Sequence, residues 1–145
     1  MADEKLKSGE RVSVTPAAIN DVMGDACERV PGMRNGVLVL LAEGVAIGAI
    51  GTGSAFECEP LVRAAVRCLS AANALARPSR KATEFVEYSF VAADQITIML
   101  RGRREPRVAL VLACARESNL AFVLTAARRA LAEIETTEAL VDWVV

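Results

Sequence analysis

The chain predicts an α/β (α+β) fold in the order α-β-β-α-β-β-β-α, a five-stranded antiparallel sheet with helices on both faces. Three observations carry this. Two runs, VLVLLA from Val37 to Ala42 and VALVLA from Val108 to Ala113, are apolar on both alternating faces, as strands covered above and below must be. Two stretches alternate instead: Val86, Tyr88 and Phe90 against Glu87 and Ser89, and Ile96, Ile98 and Leu100 against Gln95, Thr97 and Met99. Three segments repeat apolar residues at helical spacing.

Taken in order, residues 1–14 form a charged, polar leader with no apolar stretch of signal-peptide type. Thr15-Pro16 is a cap followed by a first-turn proline, and Ile19, Val22, Met23, Ala26 and Val30 then recur at helical spacing until Pro31-Gly32 ends the helix. The first apolar run is a central strand, Glu43-Gly44 the turn, and Val45–Ile50 the returning strand. From Gly36 to Phe56 the only charge is Glu43, long enough to raise a membrane span, but Gly44, Gly48, Gly51 and Gly53 break it into two short strands. The second helix is predicted over Pro60–Arg77, between a proline suited to the first helical turn and Pro78, which blocks continuation. Its face of Leu61, Ala65, Leu69, Ala72 and Leu75 is widened by Val62, Ala64, Ala71, Ala74 and Ala76. Only Arg63, Arg67, Ser70, Asn73 and Arg77 form a polar strip. A surface helix keeps about half its circumference wet, so this one is expected to be covered on two sides: by its own sheet and by a second subunit. A half-exposed strand, its partner, the arginine-bearing tip RGRREP and the second apolar run follow. Ser118 is the predicted cap of the last helix, in which Leu120, Leu124, Ala127, Leu131 and Ile134 face the core while Arg128, Arg129, Glu133 and Glu135 stay wet. The tail 136–145 ends in VDWVV.

At 145 residues the chain fits one compact domain with a real core. Hydrophobic residues make up 53% and mean hydropathy is +0.33, values that suit an obligate oligomer. A net charge of −1 provides no global field to recruit nucleic acid or an acidic membrane. Arg101, Arg103, Arg104 and Arg107 cluster at one tip, with Arg77, Arg80 and Lys81 in another loop, but no stacking aromatic stands among them; a solvated basic tip is the expectation.

There is no histidine, which removes the commonest general base, nucleophile activator and zinc ligand together. Cys27, Cys58, Cys68 and Cys114 are scattered without a CxxC and read as reduced thiols in apolar settings of a cytoplasmic protein, neither a disulfide framework nor a zinc site. Cys58 is the most accessible, at a helix start that would lower its pKa. The run Gly51-Thr52-Gly53-Ser54 lacks the lysine of a phosphate-binding loop and is expected to be a turn into the helix. No catalytic residue, cofactor or metal is predicted; the chain is expected not to be an enzyme.

Three strings, VPGMRNGVLVLLAEGVAIG, FVEYSFVAADQITIML and RVALVLACARESNLAFVLTAARRALAEI, resemble the roadblock (dynein light chain) family, a profilin-like, longin-related fold. The agreement in element order runs from about Val22 to Glu135, with Asn119-Leu120 similar to the family's start of the closing helix. The resemblance implies a single roadblock-like domain over 15–135, with 136–145 as a C-terminal extension. It implies a homodimer in which the second helix meets its mate and the sheets join through the third strand, Phe85–Val91. Val62, Ala65, Val66, Leu69, Ala72, Phe85, Glu87 and Ser89 would then line the interface. It further implies, by similarity to bacterial and archaeal members, a non-catalytic regulator or scaffold of a small Ras-like GTPase. That partner would rest on the exposed strip Arg63, Arg67, Ser70 and Asn73, with no nucleic acid and no membrane insertion. The alternative is a small-molecule-sensing module of the same fold. Two departures stand out: Glu43-Gly44 replaces an Asp-Gly turn, and the tail with Trp143 has no counterpart in the shortest members.

Overall fold

A computed structural model describes residues 17–51, 58–76 and 87–140. Its elements are α1 (Ala17–Cys27), β1 (Met33–Leu40), β2 (Val45–Gly51), α2 (Glu59–Ala76), β3 (Glu87–Val91), β4 (Gln95–Arg101), β5 (Val108–Ala115) and α3 (Leu120–Glu135). All strand pairs are antiparallel, in the order β2-β1-β5-β4-β3. The two strands that are apolar on both faces, β1 and β5, lie side by side inside the sheet. β5 is buried from Val108 to Cys114.

Two cores follow from the pleat. On one face, α1 and α3 cover a cluster that includes Ile19, Met23, Leu38, Ile98, Leu110, Leu112, Val123 and Ile134. On the other, α2 covers Val37, Val39, Met99, Ala109 and Val111 with Val62 and Ala65. β1 supplies Val37 and Val39 to one core and Leu38 to the other, as a period of two requires.

The hairpin β1–β2 turns through Gly44, at a φ of 65° that favours glycine. Inside it the register shifts between Leu38 and Val39, leaving Ile47 as an extra residue between Gly48 and Ala46. Because of this bulge Ile47 and Gly48 both face α1. Ile47 is fully buried, while a Cβ at Gly48 would lie 2.5 Å from Met23 Sδ and 2.7 Å from Ile19 Cγ2. The missing side chain at Gly48 therefore lets α1 lie flat on β2.

Several expectations change in detail. α1 ends at Cys27, with turns leading to Pro31, because Glu28 and Val30 already bond back to Asp25 and Cys27. α2 begins one residue earlier than predicted, at Glu59. Leu61 and Val62 N–H groups donate to the Cys58 carbonyl. Asn119, not Ser118, caps α3, its Oδ1 accepting from the Phe122 N–H at 3.2 Å. Glu135, expected to be wet, is 9% exposed: its Oε2 accepts the Arg104 and Glu105 N–H groups at 2.7 and 2.8 Å, tying the end of α3 to the β4–β5 tip. Beyond α3, Leu140 is buried in the α1–α3 core, so the tail contributes to packing at least that far. The leader, Phe85 and Trp143 lie outside the described residues.

Burial predicts a sharp contrast in urea unfolding. Ile98→Ala, at a fully buried site in the sheet, should cost about 2–5 kcal/mol. Phe122→Ala, whose ring is 67% exposed, should stay within about 0.5 kcal/mol of the parent.

Candidate interaction surface

The outer side of α2 is where the predicted partner strip falls. Arg63, Arg67 and Ser70 are exposed there, with Ala71 and Ala74 beside them. The Asn73 side chain lies outside the described residues. Arg63 is ion-paired with Glu59 one turn earlier, which leaves Arg67 as the cation of the strip with no carboxylate assigned to it among the described residues. Exposed pairs of this kind contribute little to stability, and both partners stay available to another surface.

The residues expected at the helix–helix contact divide. Val62 and Ala65 are 8% and 1% exposed and belong to the chain's own core against Val37, Val39 and Val111. They are therefore not available to a second subunit, and the expectation is corrected: the wheel position that looks apolar from outside is the sheet-facing one. Leu69 is half-buried against the same cluster. Val66 is 38% exposed, and its Cγ2 would lie 3.4 Å from a Cβ at Gly44, so it leans toward the β1–β2 turn. The opposite flank carries the small residues Ala64 and Ala71. The Ala72 side chain and Phe85 lie outside the described residues.

The two sheet edges are unlike. β3 is the outer strand at one end, and it ends in exposed residues on both faces: Ser89, Phe90 at 49% and Val91 at 53%. The Phe90 ring stacks on Tyr88 at 5.9 Å between centroids, a two-ring ledge on the α2 face of the sheet. Among the described residues α2 lies over β1, β5 and β2, not over this end. Edge strands are commonly blunted by lysine, proline or a bulge. β3 has none of these; its sole charge, Glu87, is drawn off the edge toward α3, where Arg128 grips it at 2.5 and 2.8 Å. That pair fixes the start of β3 against the helix and holds the Glu87 carboxyl below its ordinary range, chiefly through the Arg128 hydrogen bond. The other outer strand, β2, is packed under α1.

At the β4–β5 tip two arginines bond within the tip itself. Arg107 grips Glu105 at 2.6 and 2.7 Å, and Arg101 Nε donates to the Pro106 carbonyl at 2.7 Å, so the tip uses much of its own charge to hold its own shape. The thiols offer no nucleophile. Burial pushes Cys27 up to about 12 and Cys114 up to about 11. At Cys58 burial also wins: it raises the thiol more than the backbone hydrogen bond at the α2 start lowers it, which corrects the expectation of a lowered pKa. Among the described residues no three Cys, Asp or Glu side chains gather as a metal site, and no helix is long and apolar enough to cross a membrane. An open groove of about 250 Å³ between α1 and α3 is lined by Ala26, Arg29, Phe122, Ala126 and Arg129, among others.

This architecture recurs in solved structures. MglB of Myxococcus xanthus superposes with a TM-score of 0.69 at 19% identity, over 88% of this chain and 90% of that one. The chain has the roadblock/LC7 fold. A Roadblock/LC7 domain from Streptomyces avermitilis matches at a TM-score of 0.67 and 12% identity, over 80% and 93% of the two chains. The gliding protein MglB of Thermus thermophilus matches at 0.67 and 19%, over 84% and 92%. No protein-family model and no curated protein matches the sequence. At these identities the likeness is one of backbone, so the roadblock/LC7 fold is established by geometry while its surface is this chain's own.

The Arg128–Glu87 pair makes the β3 anchor pH-dependent. Because the folded Glu87 carboxyl is shifted down, its contribution is present above the unfolded carboxylate range and lost as pH falls through the folded value. The Tm gap between the parent and Glu87→Gln should therefore close as pH is lowered from about 6 to about 3, as followed by thermal melts.

Proposed function

We propose that the protein is a non-catalytic, homodimeric interaction protein of the cytoplasm that regulates or scaffolds a small Ras-like GTPase, in a GTPase-activating or effector-type role. The observation that carries this is the occurrence of two surfaces on one roadblock/LC7 fold: an outer strand β3 whose exposed end, Ser89–Val91, carries no charge, and an exposed arginine strip on α2. Likeness to the two MglB structures adds to it. Another MglB structure is described as having a tetrameric arrangement, so assembly among such folds is not confined to one state.

In this proposal β3 pairs with β3 of a second copy, continuing the sheet across the interface, and the Tyr88–Phe90 ledge is covered by the mate. Backbone hydrogen bonds supply the pairing and the exposed apolar side chains supply burial. Arg63, Arg67 and Ser70 remain on the outer surface, where a GTPase would be met. No general base or activated thiol accompanies them, so any effect on hydrolysis works through positioning of the partner's own groups. Among the described residues the groove between α1 and α3 gives a small-molecule-sensing role little support: it is open and falls below the roughly 300–1,000 Å³ of an ordinary ligand cavity.

Two measurements test the parts separately. Light scattering should give about 31 kDa for the parent, twice the 15.4 kDa chain. Ser89→Lys/Phe90→Lys, which places charge on the exposed edge, should return the chain to the monomer mass. A folded double variant that keeps the parent mass would rule out β3 pairing. Arg63→Glu/Arg67→Glu should keep the dimer and weaken binding of a cognate GTP-loaded small GTPase about tenfold or more, about 1.4 kcal/mol, with a flatter salt dependence. Unchanged affinity would exclude the α2 strip as the docking surface.

A further inference from the structure

A five-stranded sheet has two edges, and among the described residues they are unlike: one is met by a helix and the other is not. β2, the outer strand opposite β3, lies beneath α1. From that helix the Asn20 side chain reaches the strand, and its Oδ1 accepts the Ala49 N–H at 2.8 Å. An N–H engaged this way points off the sheet rather than into the β1 ladder, so Asn20 occupies one of the donors that an incoming strand would need. Its reach depends on local sequence. The bulge at Ile47 turns Gly48 toward α1, and the bare glycine lets Ile19 and Met23 settle directly on the strand, which brings the intervening Asn20 to the edge. β3, by contrast, leaves Ser89, Phe90 and Val91 exposed.

We infer that Asn20 is an assembly-limiting residue: by holding the outward N–H of Ala49 it closes the β2 edge to strand addition by another copy of this chain. Growth then stops after a single strand-paired interface. The physical need is plain. If both edges accepted strands, β3 of one copy could pair with β2 of the next, a head-to-tail contact that generates open filaments rather than a closed pair. Closing one edge leaves self-complementary β3 pairing as the sole sheet contact. The inference rests on the proposed β3 pairing for the final stoichiometry, but the closure of β2 is a property of the single chain.

The test substitutes Asn20→Leu, close in size but unable to accept, beside Asn20→Asp, which keeps an acceptor for the Ala49 N–H. The parent and Asn20→Asp should hold at about 31 kDa as concentration rises, while Asn20→Leu grows to about 62 kDa or more, multiples of the 15.4 kDa chain. In the Ser89→Lys/Phe90→Lys background, Asn20→Leu should stop at the two-chain mass, because only the β2 edge is then open. A folded Asn20→Leu that keeps the parent mass at every concentration overturns the inference. Should Asn20→Leu fail to fold, amide exchange on the parent decides. The Ala49 amide must be protected at every dilution, and exchange at the rate of a solvent-exposed amide overturns the closure. A parent that is monomeric throughout removes the β3 pairing alone; Asn20→Leu must then still raise the mass above the monomer.

Discussion

Burial of β5 on both faces is the constraint from which the architecture unfolds. A strand that is apolar at every position has no side that can face water, so it must lie inside a sheet and beneath a layer on each side. With β1 beside it in the same condition, the sheet needs helices above and below, and the chain supplies α1 and α3 to one face and α2 to the other. Among the described residues the three helices do not cover the two faces of the sheet evenly. The face that receives two of them is covered from α1 over β2 to α3 over β4, whereas α2 alone spans β2, β1 and β5 on the other side. Among the described residues the Phe90 end of the α2 face lies beyond the reach of α2, beside the outer strand β3, while Tyr88 is half-buried against the α2-side core.

That coincidence gives the molecule a direction. One end of the sheet is finished by the chain itself: the bulge, the bare Gly48, the helix lying on it and the Asn20 carbonyl at the rim. The other end has an ion pair that steadies the strand from behind, with the charge of Glu87 withdrawn toward Arg128 instead of set on the edge. An edge left unfinished in a stable chain implies something that finishes it. Exposed apolar residues on both faces of β3 favour another strand as that partner rather than a flat protein surface.

Much of this was legible in the sequence. Full-length apolar runs announce buried central strands, period-two alternation announces half-covered ones, and Pro60 announces the start of α2. The order of elements and the presence of helices on both faces follow from these. What escaped has a common physical character, being decided by contacts between residues far apart in the chain. Glu135 looks like one more solvated charge on an amphipathic helix, and only the return of the β4–β5 tip supplies the two N–H groups that bury it. Val62 and Ala65 fall on one broad apolar face of α2, and the wheel alone does not say which part of it the sheet takes. The bulge at Ile47 shows only as a glycine within a strand, a weak pointer to close approach, and Asn20 shows as an ordinary polar residue on the wet side of α1. The cap at Asn119 rather than Ser118 is a contest between neighbours of nearly equal capping strength.

The same distinction bears on how far a likeness of backbone can be taken toward function. Histidine is missing from the chain, and burial holds Cys27 and Cys114 protonated. Among the described residues, attention therefore falls on surfaces, and surfaces are where chains of the same fold differ most. In this chain the surface features are local and specific: an arginine strip on α2, a strand β3 whose exposed end carries no charge, and an asparagine at the opposite rim. A surface that acts by meeting a partner needs a defined number of copies to present it, so in the proposed function control of the sheet edges would precede any effect on a GTPase. With β2 closed as inferred, Asn20 would then belong to the functional machinery as much as the arginines of the proposed docking strip, although it would touch neither the partner nor the mate.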